Sequence, residues 1–283
     1  MHDHETPPRL APKSDQDWYT RARCTLDTVR HTLLGPFAFE SRHAEVTALA
    51  LFLTLHWRPF YTGRSPLFVV ESAGPGAGKT ALVESLLALH DDPPGRFRGA
   101  WPSHALAQSH LLSYVVLQPG VELVHLDARM GETIAGDAIE AALTSPWVFA
   151  RPPRSSVSML TAHRATWVLE ANAPVLSADV ARRSVRTCLL PPRRPRKSFA
   201  SSRTNRDRYT ILDASYQLLR IVQESGACAR YFEQAPPGTL TQNPGPEASF
   251  PSWYALVYRT VAWLTDEDVF RWPGSPARAG VPA

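Results

Sequence analysis

The feature that most narrows what this chain can fold into is one octapeptide, Ala73-Gly74-Pro75-Gly76-Ala77-Gly78-Lys79-Thr80. Leu67-Phe68-Val69-Val70 stands just before it, apolar at every position and bounded by Pro66. Such a run predicts a strand buried on both faces of a parallel sheet. Thr80 to Leu89 follows, with Leu82, Leu86 and Leu89 on one helical face. Strand, glycine loop and helix in this order make a nest of backbone N–H groups, because glycine tolerates positive φ and lets another group approach the backbone closely. The positive end of the helix points into the same nest. The ligand such a cradle fits is a triphosphate. Lys79 is expected to reach the β and γ oxygens and the Thr80 hydroxyl to ligate Mg²⁺, so the expected cofactors are ATP and Mg²⁺. Ala73 stands where glycine is commoner, a tolerated variant.

Further residues fall where that chemistry needs them. Val121 to Leu126 is a second apolar strand and ends in Asp127, a carboxylate able to hold Mg²⁺ through a water. The next residue is Ala128, where many ATPases place a glutamate that polarises the attacking water. Glu132, farther along the loop, is the candidate general base, ahead of Glu122 and Glu170. A third strand, Ala165 to Leu169, runs into Glu170-Ala171-Asn172, and Asn172 is expected to orient water near the γ-phosphate. Asp179-Val180-Ala181-Arg182-Arg183 comes next. Arg182 and Arg183 stand where a ring ATPase supplies an arginine finger to its neighbour's nucleotide, with Arg183 the expected finger and Arg182 the alternative.

The chain has 283 residues, 44% of them hydrophobic, enough for one full domain with a small one appended. The expected division is a disordered tail over 1–17, a helical lead-in over 18–62 and an ATP-binding core over 63–192. A basic linker over 193–208, a C-terminal helical subdomain over 209–265 and a tail over 266–283 complete it. Helices are expected at Trp18 to Leu34, Arg42 to His56, Asp137 to Leu143, Tyr209 to Glu224 and Ser252 to Leu264. Val185 to Leu190 reads as a fourth strand and 236–246 as a Gly/Pro-rich loop. Cys24, Cys188 and Cys228 show neither pairing nor metal spacing and read as reduced thiols. The longest apolar stretch, Val46 to Leu55, is about half of the roughly 20 residues a membrane helix needs. With no signal-peptide core near Met1, a cytoplasmic protein without membrane attachment is expected.

Net charge is +4, unevenly spread: ten Arg or Lys side chains and one acid lie between Arg182 and Arg208. A run of this kind can neutralise phosphates, so residues 193–208, with Arg96 and Arg98, are candidate DNA contacts. The Trp and Tyr residues of the last helix read as core rather than as a base-stacking surface.

Taken together, these segments resemble the ATPase, helicase-like module at the C-terminal end of phage and mobile-element primase–helicase proteins, related to superfamily 3 helicases and the AAA+ class. The resemblance covers most of the chain: His43 to Pro59, Pro66 to Leu82, Val121 to Asp127, Ile139 to Ser145 with Arg151, Thr166 to Asn172, Asp179 to Arg183 and Ser249 to Leu264. The family tends to carry Asp-Asn where this chain has Asp127-Ala128, and its larger members carry a primase ahead of the ATPase. The resemblance implies a three-layer α/β P-loop NTPase fold with a parallel central sheet and flanking helical segments. It also implies assembly into a homo-oligomeric ring and work on DNA, single-stranded or forked, in phage or plasmid replication, with a separate primase or replication protein as a possible partner. A DNA translocase or helicase is the first functional reading. A slowly hydrolysing switch, such as an initiator or helicase loader, is favoured by Ala128. A non-hydrolysing ATP-binding regulator is the third. A small-molecule kinase fits poorly, because such kinases lack the arrangement of Asn172 and Arg182-Arg183.

Overall fold

The computed structural model describes residues 14–89, 95–118, 120–152, 154–191, 205–234 and 248–270. Helix α1 (Asp15–Val29) passes through a π-helical turn (Arg30–Leu34) and is followed by α2 (Arg42–His56). Then come β1 (Leu67–Ser72), α3 (Lys79–Leu87), β2 (Gly95–Ala100), α4 (Ala105–Leu117), β3 (Val121–Asp127), β4 (Thr133–Ile134) and α5 (Asp137–Thr144). After these follow β5 (Trp147–Ala150), β6 (Met159–Ala162), β7 (Thr166–Asn172), β8 (Val175–Leu176), α6 (Ala178–Ala181) and β9 (Ser184–Cys188). The chain continues with α7 (Asn205–Ser225), α8 (Ala227–Gln234) and a last helix, α9, made of Pro251–Trp253, the π-helical turn Tyr254–Tyr258 and Arg259–Thr265.

Five strands form a parallel sheet in the order β2-β3-β7-β1-β9. The order follows from composition. β1 is buried at every position and β7 at all but its last, as central parallel strands must be. β2 carries Arg96 and Arg98 and lies at an edge. Because β7 is inserted between β1 and β3, the end of the glycine loop lies beside the tip of β7, with the tip of β3 one strand farther out. One apolar cluster covers the face bearing Phe68, Val70 and Val168 with α1, α2, α3, α7 and α9. A second covers the face bearing Val69, Val124 and Leu169 with α4 and α5. The result is the three-layer α/β P-loop NTPase architecture.

Helix α2 is fixed at its start by Ser41, whose hydroxyl accepts the Ala44 N–H at 3.1 Å. Val46 to His56 are all buried, which explains why its apolar residues run right round it. Burying a side chain such as Leu49 or Phe52 contributes roughly 1.5–3 kcal/mol, so α2 is a main anchor of this layer. The C-terminal helices dock onto it: Trp57 Nε1 donates to Ser215 Oγ at 3.1 Å and Trp253 Nε1 to Thr54 Oγ1 at 2.8 Å. Trp253, Tyr254, Tyr258 and Trp263 are buried in the core. The lead-in and C-terminal helices therefore share one core over the sheet.

Some expected boundaries move. Ser14 accepts the Asp17 N–H and caps α1, so residues 14–17 belong to that helix. Residues 205–208 begin α7, and Arg208 Nη2 donates to the Leu89 carbonyl at 3.2 Å, a structural contact rather than a place in a solvated linker. Val269 is buried and Phe270 packs 5.8 Å from Trp253, so the chain stays on the core past residue 266. Residues 193–204 of the basic run and the loop 236–246 lie outside the described residues. Among the described residues no helix is long and apolar enough to cross a membrane, and the three cysteines are free.

Candidate nucleotide-binding site

The glycine loop leaves β1 at Ser72 and enters α3 at Lys79. Gly76 and Gly78 hold φ of +80° and +93°, values that β-carbon-bearing residues rarely adopt. A β-carbon at Gly74 or Gly76 would meet no atom within 4 Å, so that side of the loop is open. Gly78 caps α3 without any side-chain acceptor, leaving the first-turn N–H groups directed at whatever occupies the loop.

Lys79 is aimed by β1 and β7 together. Its Nζ donates to Asn172 Oδ1 at 2.6 Å and to Ser72 Oγ at 3.0 Å. Ser72 and Asn172 are register partners at the ends of the two strands. Burial holds the Lys79 amine below the ordinary lysine value, while Glu170 and Asp127 pull it back up. A cation destabilised by burial between neutral oxygens is suited to receive an anion.

The Thr80 hydroxyl donates to Glu170 Oε2 at 2.5 Å. The other oxygen of Glu170 lies 2.5 Å from His125 Nε2, whose Nδ1 in turn lies 2.6 Å from Arg96 Nη2. Burial would push the Glu170 carboxyl up, but the hydrogen bonds from His125 and Thr80 outweigh it and hold the group below its usual range. Arg96 also grips Glu84 of α3 through two hydrogen bonds, at 2.9 and 2.7 Å, and Arg98 reaches the same carboxylate at 3.1 Å. Arg96, a candidate DNA contact in the sequence, is 22% exposed and turns both terminal nitrogens toward Glu84 and His125. Arg98 is 54% exposed and remains at the surface.

The other expected site residues are spread around this cluster. Asp127 ends β3 in register with Glu170 and is exposed. Ala128 after it is 6% exposed, and its N–H donates to the Glu170 carbonyl. Glu132 lies on the loop packed against the chain after β7; its carbonyl accepts the Val175 N–H, and the neighbouring Gly131 N–H bonds the Asn172 carbonyl. Arg182 and Arg183 follow α6 and both reach Asp179, at 2.7 and 3.3 Å. Their side chains differ, Arg182 being 53% exposed and Arg183 11%.

Lys79, Thr80 and Asn172 are thus brought into one cluster with Ser72 and Glu170, while Arg182 and Arg183 are not hydrogen-bonded to it. Ser72, His125 and the hydrogen bond that Thr80 donates to Glu170 are not legible in the local sequence pattern. One signal was available: His125 and Glu170 interrupt the apolar stretches of two strands read as buried, and a buried polar group calls for a partner.

No protein-family profile and no curated protein matches the chain. Among solved structures it is similar to a protein of Cytophaga hutchinsonii described as a candidate ATPase, at 11% identity and a TM-score of 0.38, covering 90% of this chain and 84% of that one.

Proposed function

We propose that the chain binds ATP with Mg²⁺ and hydrolyses it, as a DNA-associated ATPase of mobile-element replication resembling a helicase or translocase. The observation that carries the nucleotide part is the fastened lysine: Nζ held by Asn172 and Ser72 at the base of an open glycine loop. The residues fit their ligands. The loop N–H groups and Lys79 would meet the phosphates, and the Thr80 hydroxyl and Asp127 carboxylate are the oxygen donors a hard divalent cation takes. That cation would neutralise charge on the triphosphate. Asn172 would orient the attacking water, with Glu132 as its base. Arg182 or Arg183 of a neighbouring copy in a ring would stabilise the developing charge.

The DNA part is favoured by a different region. The β5–β6 hairpin exposes Trp147, Phe149 and Leu160, and a groove of about 790 Å³ between it and α4 is lined by Tyr114, Phe149, Arg151 and Arg154 among others. Aromatic rings beside exposed guanidinium groups suit single-stranded nucleic acid, whose bases stack and whose phosphates pair. Ala128 favours a second reading, an ATP-dependent switch that hydrolyses slowly, such as an initiator or loader.

ATP turnover measured with and without single-stranded DNA, at concentrations high enough to oligomerise, tests both. Stimulation by DNA is the expected result. ATP binding with little turnover in either condition selects the switch, and failure to bind ATP overturns the nucleotide reading.

A further inference from the structure

Glu170 is 2% exposed, and both of its carboxylate oxygens are engaged, one by the Thr80 hydroxyl and one by His125. A guanidinium has only donors, so the contact from Arg96 makes His125 Nδ1 the acceptor and leaves the ring hydrogen on Nε2, donated to Glu170. Arg96 is held by Glu84, and Glu84 belongs to α3, the same helix that begins at Lys79 and Thr80. The hydrogen bonds therefore form a closed circuit. It leaves α3 at Glu84, crosses Arg96 on β2, His125 on β3 and Glu170 on β7, and returns to α3 at Thr80.

A hydroxyl has one hydrogen and two lone pairs. With its hydrogen directed to Glu170, Thr80 Oγ1 keeps its lone pairs for a cation. Without that acceptor the hydroxyl could turn and donate elsewhere. Asp127, the carboxylate at the neighbouring strand tip, is exposed and is not the acceptor of this bond.

We propose that Glu170 is the positioning residue for Thr80, fixing its hydroxyl to receive Mg²⁺, and that the circuit through His125, Arg96 and Glu84 fixes Glu170 in turn. This rests on the reading of the loop as a Mg²⁺–ATP site. It places the acid behind the Thr80 hydroxyl on β7, two residues before Asn172, while Asp127 at the tip of β3 stays an oxygen donor to the cation. A carboxylate that orients a metal ligand acts on metal affinity more than on the ligand's other contacts.

The test is the affinity of the full chain for a fluorescent ATP analogue, measured in Mg²⁺ and again in EDTA. The ratio of the two affinities is the gain due to the metal. Glu170→Gln has one acceptor oxygen where the carboxylate has two, so whichever way the amide turns its NH₂ faces a donor, Thr80 or His125, and one of the two bonds is lost. Its affinity in EDTA is expected to stay near that of the wild type, while the metal gain falls by roughly tenfold or more. Arg96→Met, two hydrogen bonds away from Glu170 along the circuit, is expected to lower the gain in the same direction by a smaller factor. A metal gain unchanged in Glu170→Gln overturns the proposal. If Glu170→Gln does not fold, Arg96→Met decides: an unchanged gain there overturns the circuit, and a reduced one supports it. A wild-type chain that binds no analogue in either buffer fails earlier, at the nucleotide reading, and is recognised as such.

Discussion

The tips of β3 and β7 lie side by side, Asp127 opposite Glu170, and they are built differently. β7 ends in fastened polar groups: Glu170 is buried against Thr80 and His125, and Asn172 accepts hydrogen bonds around Lys79. β3 ends in an exposed carboxylate followed by a buried alanine. One tip is rigid and already bonded to the glycine loop, while the other offers an acid that solvent can reach. Geometry decides which does what. β7 is the direct neighbour of β1, so its terminal side chains meet the loop, whereas β3 is one strand removed.

Removing the group on which the β7 tip converges has the largest expected effect. Lys79→Ala leaves Asn172 Oδ1 with Ser72 Oγ, which also bonds the Gly74 carbonyl at 2.6 Å, and takes away the cation facing the loop. Nucleotide binding and turnover are expected to be lost, with the fold retained because Lys79 is no part of the apolar core. Equilibrium binding of labelled ATP together with circular dichroism measures both. Retained affinity and turnover would remove the loop from the site altogether.

The same contrast explains what the sequence could disclose. β1, β3 and β7 are runs of apolar residues that only buried parallel strands require, and α2 coincides with the expected Arg42 to His56. The glycine loop and Lys79 were legible because their chemistry is local. β2 was not, since Arg96 and Arg98 alternating about Phe97 look like surface until Glu84 and His125 are seen behind them. The β5–β6 hairpin was hidden for the opposite reason, because its large apolar residues face outward. α4 carries Leu106, Leu111, Val115 and Val116 without one clean face, and only part of that set is buried. The circuit through Glu170 joins residues 80, 84, 96, 125 and 170, and no local pattern encodes a bond across such separations.

A sharper comparison lies within one dipeptide. On the proposed ring reading, a guanidinium acting on a neighbouring copy must be accessible: Arg182, paired to Asp179, is 53% exposed, whereas Arg183, at 11%, turns back to the Asp179 carbonyl at 3.0 Å. Arg182→Ala is expected to keep ATP binding and to lose roughly 10³-fold or more of the turnover seen under oligomerising conditions, the usual contribution of an arginine finger. Arg183→Ala is expected to keep that turnover and to lose about 1 kcal/mol of stability with its hydrogen bond. Single-turnover and steady-state rates at several protein concentrations separate the two. The reverse pattern would return the proposed finger to Arg183, as expected from the sequence.

The smallest effect concerns how the rigid tip is kept rigid. Ala173, directly after Asn172 and before Pro174, holds φ of +46°, and its N–H bonds the Ser72 carbonyl at 3.1 Å. A left-handed conformation costs an alanine roughly 1–2 kcal/mol, and glycine escapes most of that cost. Glycine also loses about 0.5–1 kcal/mol more conformational freedom on folding, so Ala173→Gly should gain at most about 1 kcal/mol in denaturant unfolding. The same substitution lets the chain beyond Asn172 sample other conformations, which loosens the acceptor of Lys79. Stability that rises slightly while ATP affinity falls slightly would show that the strain at Ala173 serves to hold the β7 tip. A rise in both would mean that Lys79, Ser72 and Gly131 hold Asn172 without help from the strain at Ala173.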